Sequence, residues 1–105
     1  MDDIKKMKDF LSDLEFLSGQ PFLKTIIKSK MFNINRITLE TGLEIEPHPE
    51  PYAVFFLVLD GSGIFTSEAG EVNLIKNGFI FIKADEIRGI KCLENLVFLA
   101  VQDGH

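Results

Sequence analysis

Residues 42–61 read Gly42-Leu43-Glu44-Ile45-Glu46-Pro47-His48-Pro49-Glu50-Pro51-Tyr52-Ala53-Val54-Phe55-Phe56-Leu57-Val58-Leu59-Asp60-Gly61. A glycine is followed six residues later by His48 and then by Glu50, and the apolar run from Ala53 to Leu59 leads into Gly61-Ser62-Gly63. Proline at 47, 49 and 51 fixes φ and biases the residues before it, Glu46, His48 and Glu50, toward extended geometry. Alternate residues of a strand face the same way, so His48, Glu50 and Tyr52 share one face if the segment is a strand. An imidazole, a carboxylate and a phenol converging there are the groups that acid–base chemistry uses.

Outward from this stretch, short runs rich in Ile, Val, Phe and Thr follow one another at 22–29, 31–40, 43–46, 52–59, 64–67, 71–74, 79–82, 87–91 and 96–102. Between them stand Thr41-Gly42, Asp60-Gly61-Ser62-Gly63, Glu68-Ala69-Gly70, Lys76-Asn77-Gly78 and Glu94-Asn95, residues that tolerate the positive φ of tight turns. Eight or nine strands at this spacing predict an antiparallel sandwich or barrel. Upstream, Ile4, Met7, Phe10, Leu11, Leu14 and Leu17 recur at helical spacing and predict one amphipathic α-helix, stopped by Ser18-Gly19-Gln20-Pro21. The chain thus divides into a helix with its connector, 1–21, and an all-β barrel, 22–105.

The layout of 42–61 resembles the first motif of the cupin family: a glycine, five residues, His-x-His, three or four residues, Glu, six residues, glycine. The second family motif, a glycine, five residues, Pro-x-Gly, two residues, His, three residues, Asn, resembles 78–93. There Gly78 and the strand Phe79-Ile80-Phe81-Ile82 match, while Ala84, Glu86, Gly89 and Leu93 replace the Pro, Gly, His and Asn. The resemblance covers about 32–102 and implies a cupin-like double-stranded β-helix, the jelly-roll barrel of the RmlC-like superfamily. In the family, two His and a Glu of the first motif and the His of the second hold one divalent transition metal. Carried onto this chain, the ligand positions are His48, Glu50, Val54 and Gly89, so two of the four keep a side chain able to bind a metal. If a metal binds, His48 and Glu50 hold it, and a third protein ligand is still needed for a site of the usual kind. Asp85 and Glu86 precede Gly89 in a loop that normally turns its charges to solvent, and His105 ends the sequence.

The ligand-pocket candidates are therefore His48, Glu50, Tyr52, Val54 and Gly89. Arg36 and Arg88 read as surface charge, and strict alternation from Gly89 points Arg88 outward. Cys92, the lone cysteine, reads as a buried small apolar group. It excludes an intrachain disulfide and suits a reducing cytoplasm.

Composition narrows the classes of function. Eleven Lys and Arg against sixteen Asp and Glu give a net charge of −5 with no basic cluster, which argues against nucleic acid and against an anionic membrane surface. The longest apolar run is seven residues, against roughly 20 for a spanning helix. The N-terminal Met1-Asp2-Asp3 carries acid where a secretion signal carries base. The reading that follows is a small-molecule-binding barrel without an intact metal site and with no cofactor. The alternative is a small cupin enzyme, either a metal-dependent isomerase or oxygenase with substituted ligands, or a metal-free acid–base catalyst around His48. A structural module without ligand is the third reading. A homodimer is expected, paired through the strand at 22–29 and the N-terminal helix, because an isolated barrel of this size has sheet edges to cover.

Overall fold

The computed structural model describes residues 9–103. Among them are seven strands, β1 Phe22–Lys28, β2 Phe32–Leu39, β3 Glu44–Pro49, β4 Val54–Ser67, β5 Gly70–Ile75, β6 Phe79–Ile82 and β7 Ile87–Asp103. Every pairing is antiparallel, with the order β1-β2-β7-β4-β5; β3 also pairs with β7, and β6 with β4. β7 is the spine. Its first half faces β3 and the end of β4, and its second half faces β2 and the start of β4.

Two of the expected turns are not turns. Asp60-Gly61-Ser62-Gly63 and Glu94-Asn95 lie inside the continuous strands β4 and β7, whose pairing slips at Val58/Asp60, Asp60/Ser62 and Ser62/Gly63. Eight or nine short strands become seven because these residues make a bulge, which bends paired strands without ending them. Gly61 has φ 80°, and a Cβ there would stand 2.0 Å from the Asn95 carbonyl oxygen. A glycine required by close approach within a bulge looks, in sequence, like a glycine required by a hairpin.

The expected helix is also revised. Its first part, 1–8, lies outside the described residues; 9–17 form a turn at 10–13 and irregular chain, with an isolated bridge pairing Leu17 to Gln20. Arg36, on the outer face of β2, is the physical reason. Its Nη1 donates to the Phe10 and Ser12 carbonyls at 3.1 and 2.7 Å, and its Nη2 to that of Asp13 at 3.1 Å. Thr38 donates to the Glu15 carbonyl at 2.5 Å. Carbonyls that a helix would use within itself are instead tied to the sheet, with Leu14 and Phe16 partly buried. Arg36 is 2% exposed, so the surface reading of this arginine is corrected: it fastens the N-terminal segment to the barrel.

Inside, alternate residues of the long strands meet. Val54, Phe56 and Val58 of β4 pack with Leu96, Phe98 and Ala100 of β7, and Leu39, Phe65, Leu74, Ile82, Ile90 and Cys92 complete the cluster. Phe56, Phe65 and Phe98 form a triangle with ring centroids 5.4–5.6 Å apart, the two contacts of Phe98 being edge-on. Each such side chain taken out of water stabilises the fold by about 1.5–3 kcal/mol. The thiol of Cys92 is buried, donates to the Leu39 carbonyl at 3.3 Å, and has its pKa raised by burial. Among the described residues no helix is long and apolar enough to cross a membrane.

Candidate functional site

β3 is an edge strand paired with β7 alone, the position in a sheet that tolerates Pro47 and Pro49 because their missing N–H groups face away from the ladder. Its register slips between Ile45 and His48 and then places His48 directly opposite Arg88. Beyond β3 the chain crosses to β4, held by the Asp85 amide, which donates to the Glu50 carbonyl at 2.8 Å. The result is a cavity of about 130 Å³, partly open to solvent. His48, Glu50, Tyr52, Arg88, Asn35 and Gln102 supply its polar lining, and Val54, Phe56, Ile37, Ile45, Ile90, Phe98, Ala100 and Leu23 its apolar walls.

His48 is held at both ring nitrogens: Nδ1 lies 2.8 Å from the Glu46 carbonyl oxygen and Nε2 lies 2.9 Å from Glu50 Oε2. A carbonyl only accepts, so Nδ1 carries a proton and donates. The contact between Nε2 and Glu50 requires one further proton shared between them. Both side chains are substantially exposed, so this pair adds little to stability, about 0–1 kcal/mol. It does engage Nε2, the nitrogen nearest the carboxylate.

Arg88 differs from the sequence expectation. It is 5% exposed and lines the cavity, whereas Gly89 is not among the lining residues. A Cβ at Gly89 would meet Pro47 Cγ at 2.8 Å and Pro47 N at 2.9 Å, so this glycine lets β3 lie close against β7. The side chains of β7 that face inward are Arg88, Ile90 and Cys92, in phase with Leu96, Phe98 and Ala100. The family spacing assigned the inward position to 89. The alternation of apolar residues at 90, 92, 96, 98 and 100 was the signal that assigns it to 88.

The guanidinium of Arg88 closes the loop that precedes it. Nη2 donates to the Lys83 and Glu86 carbonyls at 3.0 and 3.1 Å, and Nε to Glu86 at 3.3 Å. Its Cζ stands 5.3 Å from the centre of the Tyr52 ring. Nη1 is buried and makes no hydrogen bond among the described residues. The phenol of Tyr52 has its pKa raised, first by burial and then by the Glu50 charge, with Arg88 pulling the other way. Asp85 and Glu86 stay out of the cavity: Glu86 accepts from the Lys83 amide at 3.1 Å, and Asp85 occupies a left-handed turn position with φ 67°. Among the described residues no three His, Cys, Asp or Glu side chains converge closely enough to hold a metal ion. His105 lies outside them. Asn35 and Gln102 were not singled out in the sequence. Asn35 faces inward because β2 keeps one phase with Ile37 and Leu39, which the mixed pattern of 32–39 obscures.

No protein-family model matches the sequence, and neither does any curated protein. Solved structures do match. An RmlC-like cupin protein from Desulfovibrio desulfuricans superposes with a TM-score of 0.84 at 17% identity, over 94% of this chain and 96% of that one. A cupin superfamily protein from Desulfitobacterium hafniense DCB-2 gives 0.82 at 15% identity, over 93% and 91%. A conserved protein with a double-stranded β-helix domain from Klebsiella pneumoniae gives 0.81 at 14%, over 94% and 90%. The fold is the cupin-like double-stranded β-helix of RmlC-like proteins, and identities this low speak to the fold alone.

Proposed function

We propose that this protein binds a small molecule at the mouth of its barrel, in the cavity between His48, Glu50, Tyr52 and Arg88, without a resident metal. The observation that carries the reading is the make-up of that cavity, six polar side chains among aliphatic and aromatic walls, which is the usual composition of a ligand site. The donor set does not fit a divalent ion. It offers one imidazole whose Nε2 is engaged by Glu50 and one carboxylate, beside aliphatic Val54 and a guanidinium that keeps its positive charge. Elemental analysis of protein purified without added metal is expected to find no stoichiometric iron, manganese, nickel or zinc after dialysis. A full equivalent of any of them would overturn the metal-free part of the proposal.

Binding itself is tested by filling the cavity. Ala100 is 3% exposed and lines it, so Ala100→Leu occupies the space a ligand needs. A small-molecule panel is expected to raise the Tm of the natural protein and not that of the variant. Equal responses from both would refute the site. One observation favours the alternative, an acid–base catalyst: the Glu46 carbonyl fixes the Nδ1 proton, an arrangement that orients catalytic imidazoles. In that reading a measured turnover disappears in His48→Gln while the fold persists.

We also propose a homodimer, and a cytoplasmic setting for the buried free thiol. The dimer is supported by apolar side chains exposed on β1, Leu23 and Ile27, and on β6, Phe79 and Phe81. A monomeric mass by light scattering at micromolar concentration would overturn it.

A further inference from the structure

We propose that the ligand of this cavity is an uncharged molecule about one ring in size that carries an amide, as a lactam does, its C=O and N–H paired with the side chain of Asn35. The inference rests on the small-molecule reading above and supplies the chemical class. Asn35 is 9% exposed and lines the cavity from β2, with Ala100 of β7 as its partner across the ladder. Gln102 stands two residues further along β7 and lines the same cavity, so the two carboxamides are diagonal neighbours. Neither side chain makes a hydrogen bond among the described residues. Nor are their polar atoms closed off: the buried side-chain atoms with neither partner nor accessible surface are Asn33 Oδ1, Arg36 Nε and Arg88 Nη1. Asn35 thus presents a carboxamide to the cavity that its own chain leaves unused. A ligand that displaces water from it must return the same hydrogen bonds or lose affinity.

The chemistry of a carboxamide selects its partner. Oδ1 accepts and Nδ2 donates, side by side. A carboxylate satisfies Nδ2 and sets its charge against Oδ1; an ammonium satisfies Oδ1 and opposes Nδ2. An amide with its C=O and N–H on one edge satisfies both. The charged groups of the cavity offer an ionic ligand little in return. Glu50 Oε2 is engaged by His48 Nε2 at 2.9 Å, while Arg88 spends Nε and Nη2 on loop carbonyls and has Nη1 closed off. An ion would leave water there without full compensation. Size and wall chemistry select the body of the ligand. The cavity measures about 130 Å³ and has Ile37, Phe56 and Phe98 among its walls, and an apolar cavity of about 150 Å³ accepts benzene. A single ring fits; a sugar phosphate or nucleotide does not.

The probes are δ-valerolactam and cyclohexanone, one six-membered ring with and without the N–H, beside the ions cyclopentanecarboxylate and cyclohexylammonium. Each is titrated by calorimetry and by two-dimensional NMR with the asparagine side-chain N–H signals assigned. The lactam is expected to bind about tenfold more tightly than the ketone or either ion, and to shift the Asn35 side-chain signals. In Asn35→Leu, which keeps the volume and removes both hydrogen-bonding atoms, its advantage over the ketone is expected to fall to about onefold. Should Asn35→Leu fail to fold, the natural protein decides alone through the lactam-to-ketone ratio and the Asn35 shifts. Lactam binding no tighter than that of the ketone or of either ion, or a lactam preference unchanged in folded Asn35→Leu, would overturn the amide assignment and leave the ligand site standing. Binding of none of the probes, or binding of equal strength to Ala100→Leu, would overturn the assignment and count against the site as well.

Discussion

Replacing Gly61 by alanine adds one methyl group where β4 crosses β7, and the structure gives the size of the effect. Gly61 sits at φ 80°, a left-handed conformation that costs an L-residue about 1–2 kcal/mol. The added Cβ would stand 2.0 Å from Asn95 O and 2.6 Å from Glu94 O, both backbone atoms, which no side-chain rotation relieves. A tolerable contact requires β7 to retreat by about 1 Å, which stretches the ladder on either side of the bulge, each bond there contributing about 1 kcal/mol. Together these effects predict a destabilisation of about 4 kcal/mol, a large part of the roughly 5–15 kcal/mol that a domain has. Gly42→Ala is the control, since Gly42 has φ 91° but nothing within 4 Å of the added atom. It should lose only the conformational part, about 1–2 kcal/mol, a Tm shift of about 5–15 °C. Urea unfolding of the two variants against the natural protein makes the comparison. If Gly61→Ala loses no more than Gly42→Ala, β4 and β7 do not cross as described and the bulge argument is wrong.

Two further outcomes are expected. Arg36→Met removes the three hydrogen bonds of its guanidinium to the N-terminal segment and leaves that of Thr38 to Glu15, so a loss of about 3 kcal/mol is expected, with faster amide exchange confined to 10–16; unchanged exchange there would contradict the fastening role. Alkaline stability follows from Cys92 and Tyr52, whose pKa values are both raised on folding from the ordinary 9.0 and 10.0. The folded state then holds these protons more tightly than the unfolded chain, so their contribution is complete below about pH 9 and is lost as pH rises through the folded values. Cys92→Ala is expected to flatten the first part of that decline in a series of Tm measurements, and an unaltered alkaline profile would argue against it.

Much of the barrel was legible from local chemistry. The β-branched and aromatic runs, the turn residues at 68–70 and 76–78, and the proline-stiffened strand carrying His48 each express a preference of a few neighbouring residues, and the folded chain respects them. The motif spacing of 42–61 likewise led to the fold that the solved structures share. His48, Glu50, Tyr52 and Val54 do line one cavity, but not by alternation along a single strand: β3 ends at Pro49, the chain bends at 51–52, and β4 begins at Val54.

What local chemistry could not decide was settled between segments distant in sequence. Whether Gly61 ends a strand or bends one depends on the Asn95 backbone lying against it. Whether 9–17 coil into a helix depends on Arg36 competing for their carbonyls across the sheet. Arg88 is inward and half-satisfied because the loop before it turns through Asp85 at φ 67° and Pro47 claims the space over Gly89. In each case the deciding term is an interaction with no signature within a few residues of the position it controls. Sequence alone therefore determined that there is a barrel and which segment reaches its cavity, while tertiary packing placed a buried cation beside it.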